Sequence, residues 1–329
     1  MSAKIEKIIA RLQQRIAEGQ YYEAQQQTRV VAARYIKSRD WNAAIDILYN
    51  VAQSLLRAAQ GGSGGDLCIF LVDVYKQAEL KPDSGNKGKL LTLLRLFDAE
   101  EPTRKKFIGE MLGWTSKYGG YPAGDPELHH VAGSLYAEEH DAYDAERHLA
   151  LGTKDSAEFM ADLEYQWYTE DDSHTAALYA ARAIFPYLLT GNVRDANKSL
   201  RLFASRLSGA NKNLSIQDVS SGGTDLRIYP SLPLLNFLSL LLLAISKGSA
   251  DLFRQLVGHY AAHIKETGTW DEALESVAEM YFGISRPRQG NPLLDMMGSM
   301  FGGGAGAAKK PAPRRVTAPT PAPAAEGLD

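Results

Sequence analysis

Apolar residues recur at helical spacing along almost the whole of this 329-residue chain, in short stripes broken by turn residues. Ile5, Ile8, Ile9, Leu12 and Ile16 fall at i, i+3, i+4, i+7 and i+11, one face of a helix, and Gly19 ends it. A second helix is expected from Tyr21 to Ser38, and a third from Trp41 carries Ala44, Ile45, Leu48, Val51 and Leu55. Gly61-Gly62-Ser63-Gly64-Gly65 reads as a break, with Asp66 placed to favour the N-terminus of a fourth helix bearing Leu67, Phe70, Leu71 and Val74. The same spacing returns in Leu90, Leu93, Leu94 and Phe97, in Phe107, Met111, Trp114 and Tyr118, in Leu128, Val131 and Leu135, and late in Trp270, Leu274, Val277 and Tyr281. Such a helix has one stripe to bury, so it must find that cover on another helix.

The turns share a form. Tyr21-Tyr22-Glu23-Ala24, Trp41-Asn42-Ala43 and Tyr143-Asp144-Ala145 each place an aromatic, then a polar residue, then Ala just after a break. Val193-Arg194-Asp195-Ala196 is a weaker copy. The small residue lets a paired helix approach while the ring fills the space beside it. The connections are short and the spacing is irregular. The expected fold is therefore all-α, an α-solenoid of roughly 14 helices in antiparallel hairpins, TPR-like but with irregular repeats.

Two segments depart from this. Around Ser220-Ser221-Gly222-Gly223, the runs Leu214 to Val219 and Thr224 to Tyr229 alternate apolar and polar residues, a β-hairpin signal. A lone hairpin is marginal in water, so it is expected to lean on helices or a partner. From residue 286 onward the chain turns to Gly, Ala and Pro. Five of its 14 prolines lie at 311–323, and this stretch is expected to form a disordered tail with too little apolar surface to offset ordering.

Charge is balanced in sum and uneven along the chain. With 36 Lys and Arg against 39 Asp and Glu, a strongly basic nucleic-acid binder is excluded on global charge. Residues 1–40 hold eight basic side chains and four acids, whereas residues 125–172 hold 14 acids against Arg147 and Lys154. Residues 182–227 return to seven basic and three acidic. Patches of this kind choose partners more than they hold a fold together. The greasiest run, Leu234 to Ile245, is 12 residues long, too short to span a bilayer, and the N-terminus has no signal-peptide core. One cysteine, Cys68, excludes a disulfide framework and fits a reducing compartment, so a cytosolic protein is expected.

Catalytic constellations are hard to assemble. His140, Asp144 and His148 would align as metal ligands only on an unbroken helix, and the turn at Asp141-Ala142 interrupts it, which leaves solvated surface side chains as the plainer reading. His259 and His263 lack the Glu of a zinc-protease helix. Asp171-Asp172 resembles a capping pair, the glycines at 61–65 have neither the strand nor the Lys of a phosphate loop, and Cys68 reads as a buried, inert thiol. No enzyme, cofactor or metal is expected.

The run Gly19-Gln20-Tyr21-Tyr22-Glu23-Ala24-Gln25-Gln26 with Arg29 and Arg34-Tyr35, then Gly64-Gly65-Asp66-Leu67, resembles the N-terminal half of the Golgi to ER traffic protein 4 family. The likeness continues at the level of pattern through the helices, the late hairpin and the tail, over about residues 4–285. It implies a non-enzymatic cytosolic adaptor in post-translational targeting of tail-anchored membrane proteins to the endoplasmic reticulum. A tight complex with a ubiquitin-like-domain protein is implied, and through it indirect contact with a glutamine-rich TPR co-chaperone. A targeting ATPase is the second partner, held in its nucleotide-loaded dimer with hydrolysis restrained until cargo arrives. Residues 1–150 would face the ATPase and residues 151–285, with the hairpin near 214–229, the ubiquitin-like partner.

Under that resemblance the ATPase-facing residues are Tyr21, Lys37, Asp66 and Asp73; the last two are i, i+7 and so share a helix face. Asp66 as a plain N-cap and Tyr21 as junction packing stay open. Leu226, Ile228, Tyr229, Leu235 and Phe237 would line an apolar cleft for an extended or helical segment of the ubiquitin-like partner, with ordinary core packing as the other reading. Two alternatives come from other classes: a helical scaffold subunit of a proteasome-lid-like assembly, which would end in a winged helix, and a metal-dependent helical hydrolase using the acidic, histidine-bearing region.

Overall fold

The stripes read above fall on helices of a computed structural model that describes residues 2–211, 214–219 and 227–285, except that Phe97 lies past the end of its helix and Trp270 just before the start of its own. The N-terminal stripe is α1 (Ala3–Ala17), with Ile5, Ile9, Leu12 and Ile16 buried and the Ser2 hydroxyl accepting the Ile5 N–H. α2 (Tyr21–Lys37), α3 (Trp41–Arg57), α4 (Gly61–Gln77), α5 (Ser84–Leu94), α6 (Pro102–Tyr118), α7 (Pro126–Glu138) and α8 (Ala142–Leu149) follow. After them come α9 (Ser156–Tyr168), α10 (Ala176–Leu189), α11 (Val193–Ala210), α12 (Pro233–Lys247), α13 (Ala250–His259), α14 (Ala261–Thr267) and α15 (Asp271–Phe282). Among the described residues the remaining elements are a 3₁₀ turn, Ser173–Thr175, and one antiparallel pair, β1 (Gln217–Asp218) with β2 (Arg227–Ile228), in which Gln217 faces Ile228.

Helices pack on their chain neighbours and again two helices along: α1 on α3, α2 on α4, α4 on α6, α5 on α7, α7 on α9, α9 on α11 and α10 on α12. That double pattern defines an α-solenoid. Its apolar core runs without a gap from Ile5 to Ala278, across residue 150, and residues through Ser285 form one compact unit. At the shared turn motif the small residue is buried every time, as Ala24, Ala43, Ala145 and Ala196. The ring behaves less uniformly: Tyr21 and Trp41 pack against the core, but Tyr22 is 67% exposed and Tyr143 70% exposed.

One turn closes seven of these helices. A residue with left-handed backbone stands at Gly19, Arg39, Ala59, Glu79, His140, Gly191 and Gly248. In each case the next residue's N–H returns to the carbonyl five positions earlier, as Asp40 to Tyr35 at 2.9 Å and Gln60 to Leu55 at 2.9 Å. The first four lie 20 residues apart, so α1 to α4 repeat more regularly than the side chains suggest. Only three of the seven are glycine, the residue that would have marked the turn in sequence.

The break expected at the glycine run is not there. α4 starts at Gly61 and carries Gly64 and Gly65 buried in its second turn. A Cβ on Gly64 would lie 2.7 Å from Leu56 Cγ, and one on Gly65 2.0 Å from Thr103 Oγ1. Tight approach of α3 and α6 to α4 therefore outweighs glycine's poor helix propensity. Asp66 consequently lies inside the helix and caps nothing. Asp172 precedes the 3₁₀ turn without a side-chain cap bond, and Asp171 instead accepts from the Asp172 N–H and the Tyr179 hydroxyl. The tail from 286 lies outside the described residues.

Candidate functional site

The first candidate surface is the parallel pair α2 and α4. Gln25 and Arg29, one turn apart on α2, both reach Asp66 on α4. Arg29 Nη1 donates to Oδ1 at 2.8 Å and Oδ2 at 2.7 Å, and Gln25 Nε2 donates to Oδ2 at 2.8 Å. The Ser63 hydroxyl donates to Gln25 Oε1 at 3.1 Å, and the guanidinium carbon of Arg29 stands 5.2 Å from the Phe70 ring centre. Asp66 is thus the hub of a polar network between α2 and α4. Asp73, one helix repeat on, is exposed and accepts from Gln77 Nε2 at 2.7 Å.

Lys37 is exposed at the last residue of α2 and makes no ion pair among the described residues. Because the helices run parallel, it sits toward the α4 end that carries Asp73 and Gln77. Tyr21 is half-buried against the core at the start of α2. The outer stripe of α2 adds Tyr22, 67% exposed, and Val30, 53% exposed, in line with Gln26, Arg34 and Lys37. Tyr22, Val30, Gln25 and Phe70 were not among the expected site residues. The i, i+4 and i, i+8 spacing of Tyr22, Gln26 and Val30 is the signal that could have found the exposed ones.

The second surface lies where the hairpin meets α11 and α12. Asn236, at the start of α12, grips Tyr229 in both directions: its Oδ1 accepts the Tyr229 N–H at 2.8 Å and its Nδ2 donates to the Tyr229 carbonyl at 2.9 Å. The Tyr229 hydroxyl pairs with Ser208 Oγ on α11 at 3.0 Å. Beside it opens a cleft of about 790 Å³. Its floor includes Leu200, Leu242 and Leu243, and Lys154, Arg194, Lys198, Arg201 and Arg227 line it against only two carboxylates, Asp155 and Asp195. Arg194 is committed to buried Asp195 at 2.8 Å, while Arg201 is exposed.

The expected apolar lining is redistributed here. Tyr229, Leu235 and Phe237 are fully buried, with Phe237 packed on the rings of Tyr260 and Trp270. Of these three only Tyr229 borders the cleft. Ile228 is half-buried in β2, and Leu226 lies outside the described residues. Apart from Lys154, the basic lining was legible only as a charge excess over residues 182–227.

The acidic, histidine-bearing region does not assemble a metal site. His140 holds the left-handed position before α8, so it shares no helix with Asp144 and His148. His148 is buried, contrary to the solvated placement expected for it, and so is His129. No group of three or more His, Cys, Asp or Glu among the described residues is placed to hold a metal ion. Cys68 is buried, and burial pushes its thiol well above the usual range. No helix among the described residues is long and apolar enough to cross a membrane. Among the described residues the chain continues after the hairpin through four more helices and forms no winged helix.

Comparison with known proteins gives one consistent result. The family model for Golgi to ER traffic protein 4 matches residues 38–301. Golgi to ER traffic protein 4 of Aspergillus fumigatus is 57% identical over 317 residues, covering 92% of each chain, and that of Schizosaccharomyces pombe is 32% identical, covering 92% of this chain and 96% of its own. The crystal structure of C. therm. Get4 superposes with a TM-score of 0.85 at 59% identity, over 94% of this chain and all of that one. The chain belongs to the Golgi to ER traffic protein 4 family.

Proposed function

We propose that this chain is a non-enzymatic cytosolic adaptor for post-translational targeting of tail-anchored proteins to the endoplasmic reticulum. Family membership gives it a part in Golgi-to-ER traffic. The finer reading is that the α2–α4 face docks a targeting ATPase and regulates its hydrolysis. The cleft beside β2 holds a ubiquitin-like-domain protein, which in turn links to a glutamine-rich TPR co-chaperone. The observation that carries the reading is the pair of chemically distinct surfaces on one rigid array. One has an exposed Tyr22, Val30 and Lys37 stripe beside Asp66 and Asp73. The other is a leucine-floored cleft with a basic lining.

Separation of function tests it. With purified full chain, Lys37→Glu combined with Asp73→Lys is expected to weaken ATPase binding at least tenfold in calorimetry and to leave the ubiquitin-like partner bound. Lys198→Glu combined with Arg201→Glu is expected to do the reverse. Unchanged affinity for both partners in both variants overturns the assignment.

A further inference from the structure

The turn motif that opens α8 places its aromatic ring on the surface. Tyr143 stays 70% exposed, and neither it nor Trp167 on α9 is part of the continuous core. Tyr143 meets Trp167 edge to face at 5.7 Å, and Trp167 meets Tyr179 of α10 at 5.7 Å. Three consecutive helices thus contribute one ring each to a row that is exposed at Tyr143, half-buried at Trp167 and half-buried against the core at Tyr179. Leu178, 38% exposed, stands one turn before Arg182 on α10 and so extends the apolar strip.

The row is held rigidly. The Arg182 guanidinium lies 4.5 Å from the Trp167 ring and 5.1 Å from the Tyr143 ring. Its Nε and Nη2 donate to the two Glu146 oxygens at 2.6 and 2.9 Å, with buried Glu164 3.6 Å behind. Asp171 fixes the Tyr179 hydroxyl at 3.0 Å. One arginine clasp therefore joins α8, α9 and α10 and leaves the outer face of Tyr143 in solvent. Rings immobilised in this way bind with little ordering cost, and Trp, Tyr and Arg are the residues that carry most binding energy at interfaces.

The rim decides what such a surface accepts. Asp141, two residues before Tyr143, and Glu170 and Asp172, flanking the residue that holds Tyr179, are exposed carboxylates. Residues 138–182 hold 12 acids against Arg147, Lys154 and Arg182. A nucleic acid or an anionic lipid surface is repelled here, whereas a lysine or arginine gains both a carboxylate and a ring face.

We propose that the Tyr143, Trp167 and Tyr179 face is a third interaction surface, which docks an extended, basic, proline-containing polypeptide segment of a partner. Prolines preset the extended form and lie against exposed rings, and the basic side chains reach Glu170, Asp172 and Asp141. The site is independent of the two surfaces assigned above.

A dye-labelled peptide alternating Arg-Arg with Pro-Ala-Pro, titrated into the full chain and followed by fluorescence anisotropy, tests this. Saturable binding is expected, weakened about tenfold by Tyr143→Ala and about tenfold by Glu170→Lys with Asp172→Lys. The second loss is expected to shrink in high salt. All three positions are exposed, so unchanged thermal melting confirms that the variants remain folded. Absence of saturable binding overturns the proposal. So does unchanged affinity in both variants, or equal binding of a peptide with Glu in place of Arg.

Discussion

His129 and His148 face each other through their Nδ1 atoms at 3.0 Å, both buried between α7 and α8. The tautomers follow from the next contact. His129 Nε2 lies 3.1 Å from the Ala123 carbonyl, which only accepts, so Nε2 carries the proton and the His129 Nδ1 is bare. His148 must then donate from Nδ1, which leaves its buried Nε2 without a partner. Burial lowers both rings, and the neighbouring ring and Arg147 push His148 further, to about 4.

Acid should therefore loosen this junction. The folded state holds both histidines neutral while the unfolded chain protonates them near pH 6.5, so their contribution is full above that pH and is lost as pH falls toward 4. For His148 alone the shift corresponds to about 3 kcal/mol. Urea unfolding at pH 7.5, 6 and 5 is expected to show stability dropping over this window. His148→Phe keeps the stack on Tyr136 and should flatten the acid limb, at about 1–2 kcal/mol cost near pH 7 from the unpaired His129 Nδ1. A parent as stable at pH 5 as at pH 7.5 would contradict the neutral pair.

Backbone substitutions at adjacent turns should act in opposite directions. Ala59 holds φ +56 at the end of α3, where glycine is unstrained, so Ala59→Gly is expected to raise stability by about 0.5–1 kcal/mol. Gly64→Ala should lower it by about 1–3 kcal/mol, because the added carbon meets Leu56 at 2.7 Å and the Leu56 backbone nitrogen at 3.2 Å. Gly62, with open space around it in the same helix, is the control: Gly62→Ala is expected to stabilise by about 0.5–1 kcal/mol. Chemical denaturation of the three variants separates these signs.

These positions also mark what was legible in the chain. Helix faces were readable because one period governs them, and Ile5, Ile9, Leu12 and Ile16 are buried as the spacing requires. The alanines of the turn motif were readable for the same reason. The helix through Gly61 to Gly65 was not, because its stability comes from Leu56 and Thr103, 8 and 38 residues away. Tyr229, Leu235 and Phe237 looked like a cleft lining because local hydrophobicity cannot show that Tyr260 and Trp270 cover Phe237. Asp66 was placed at a helix N-terminus on local grounds and stands inside α4 instead; its partner Arg29 lies 37 positions earlier and needed the packing of α2 on α4.

The Arg29 to Asp66 pair should matter little to folding. Both side chains are more than a third exposed, so solvent screens them, and a double-mutant cycle with Arg29→Ala and Asp66→Asn is expected to give a coupling of about 0.5–1 kcal/mol. The coupling should shrink further in high salt. Asp66→Asn can then be used in binding experiments without disturbing the array. A coupling of several kcal/mol would show instead that the pair holds α2 and α4 together.

Glu164 has the opposite pH sense to the histidine pair. It is fully buried, and burial, reinforced by Glu146 beside it, raises its carboxyl far above the ordinary value despite Arg182. The folded state keeps this group protonated at pH 7, whereas the unfolded chain ionises it near 4.5, so the burial costs stability increasingly as pH rises above 4.5. Glu164→Gln removes that proton requirement. The variant is expected to melt higher than the parent at pH 8, with the gain shrinking steadily to nothing near pH 4.5. Melts of both proteins across this range decide it: a gain independent of pH would mean that Glu164 is ionised in the folded chain and balanced by Arg182 alone.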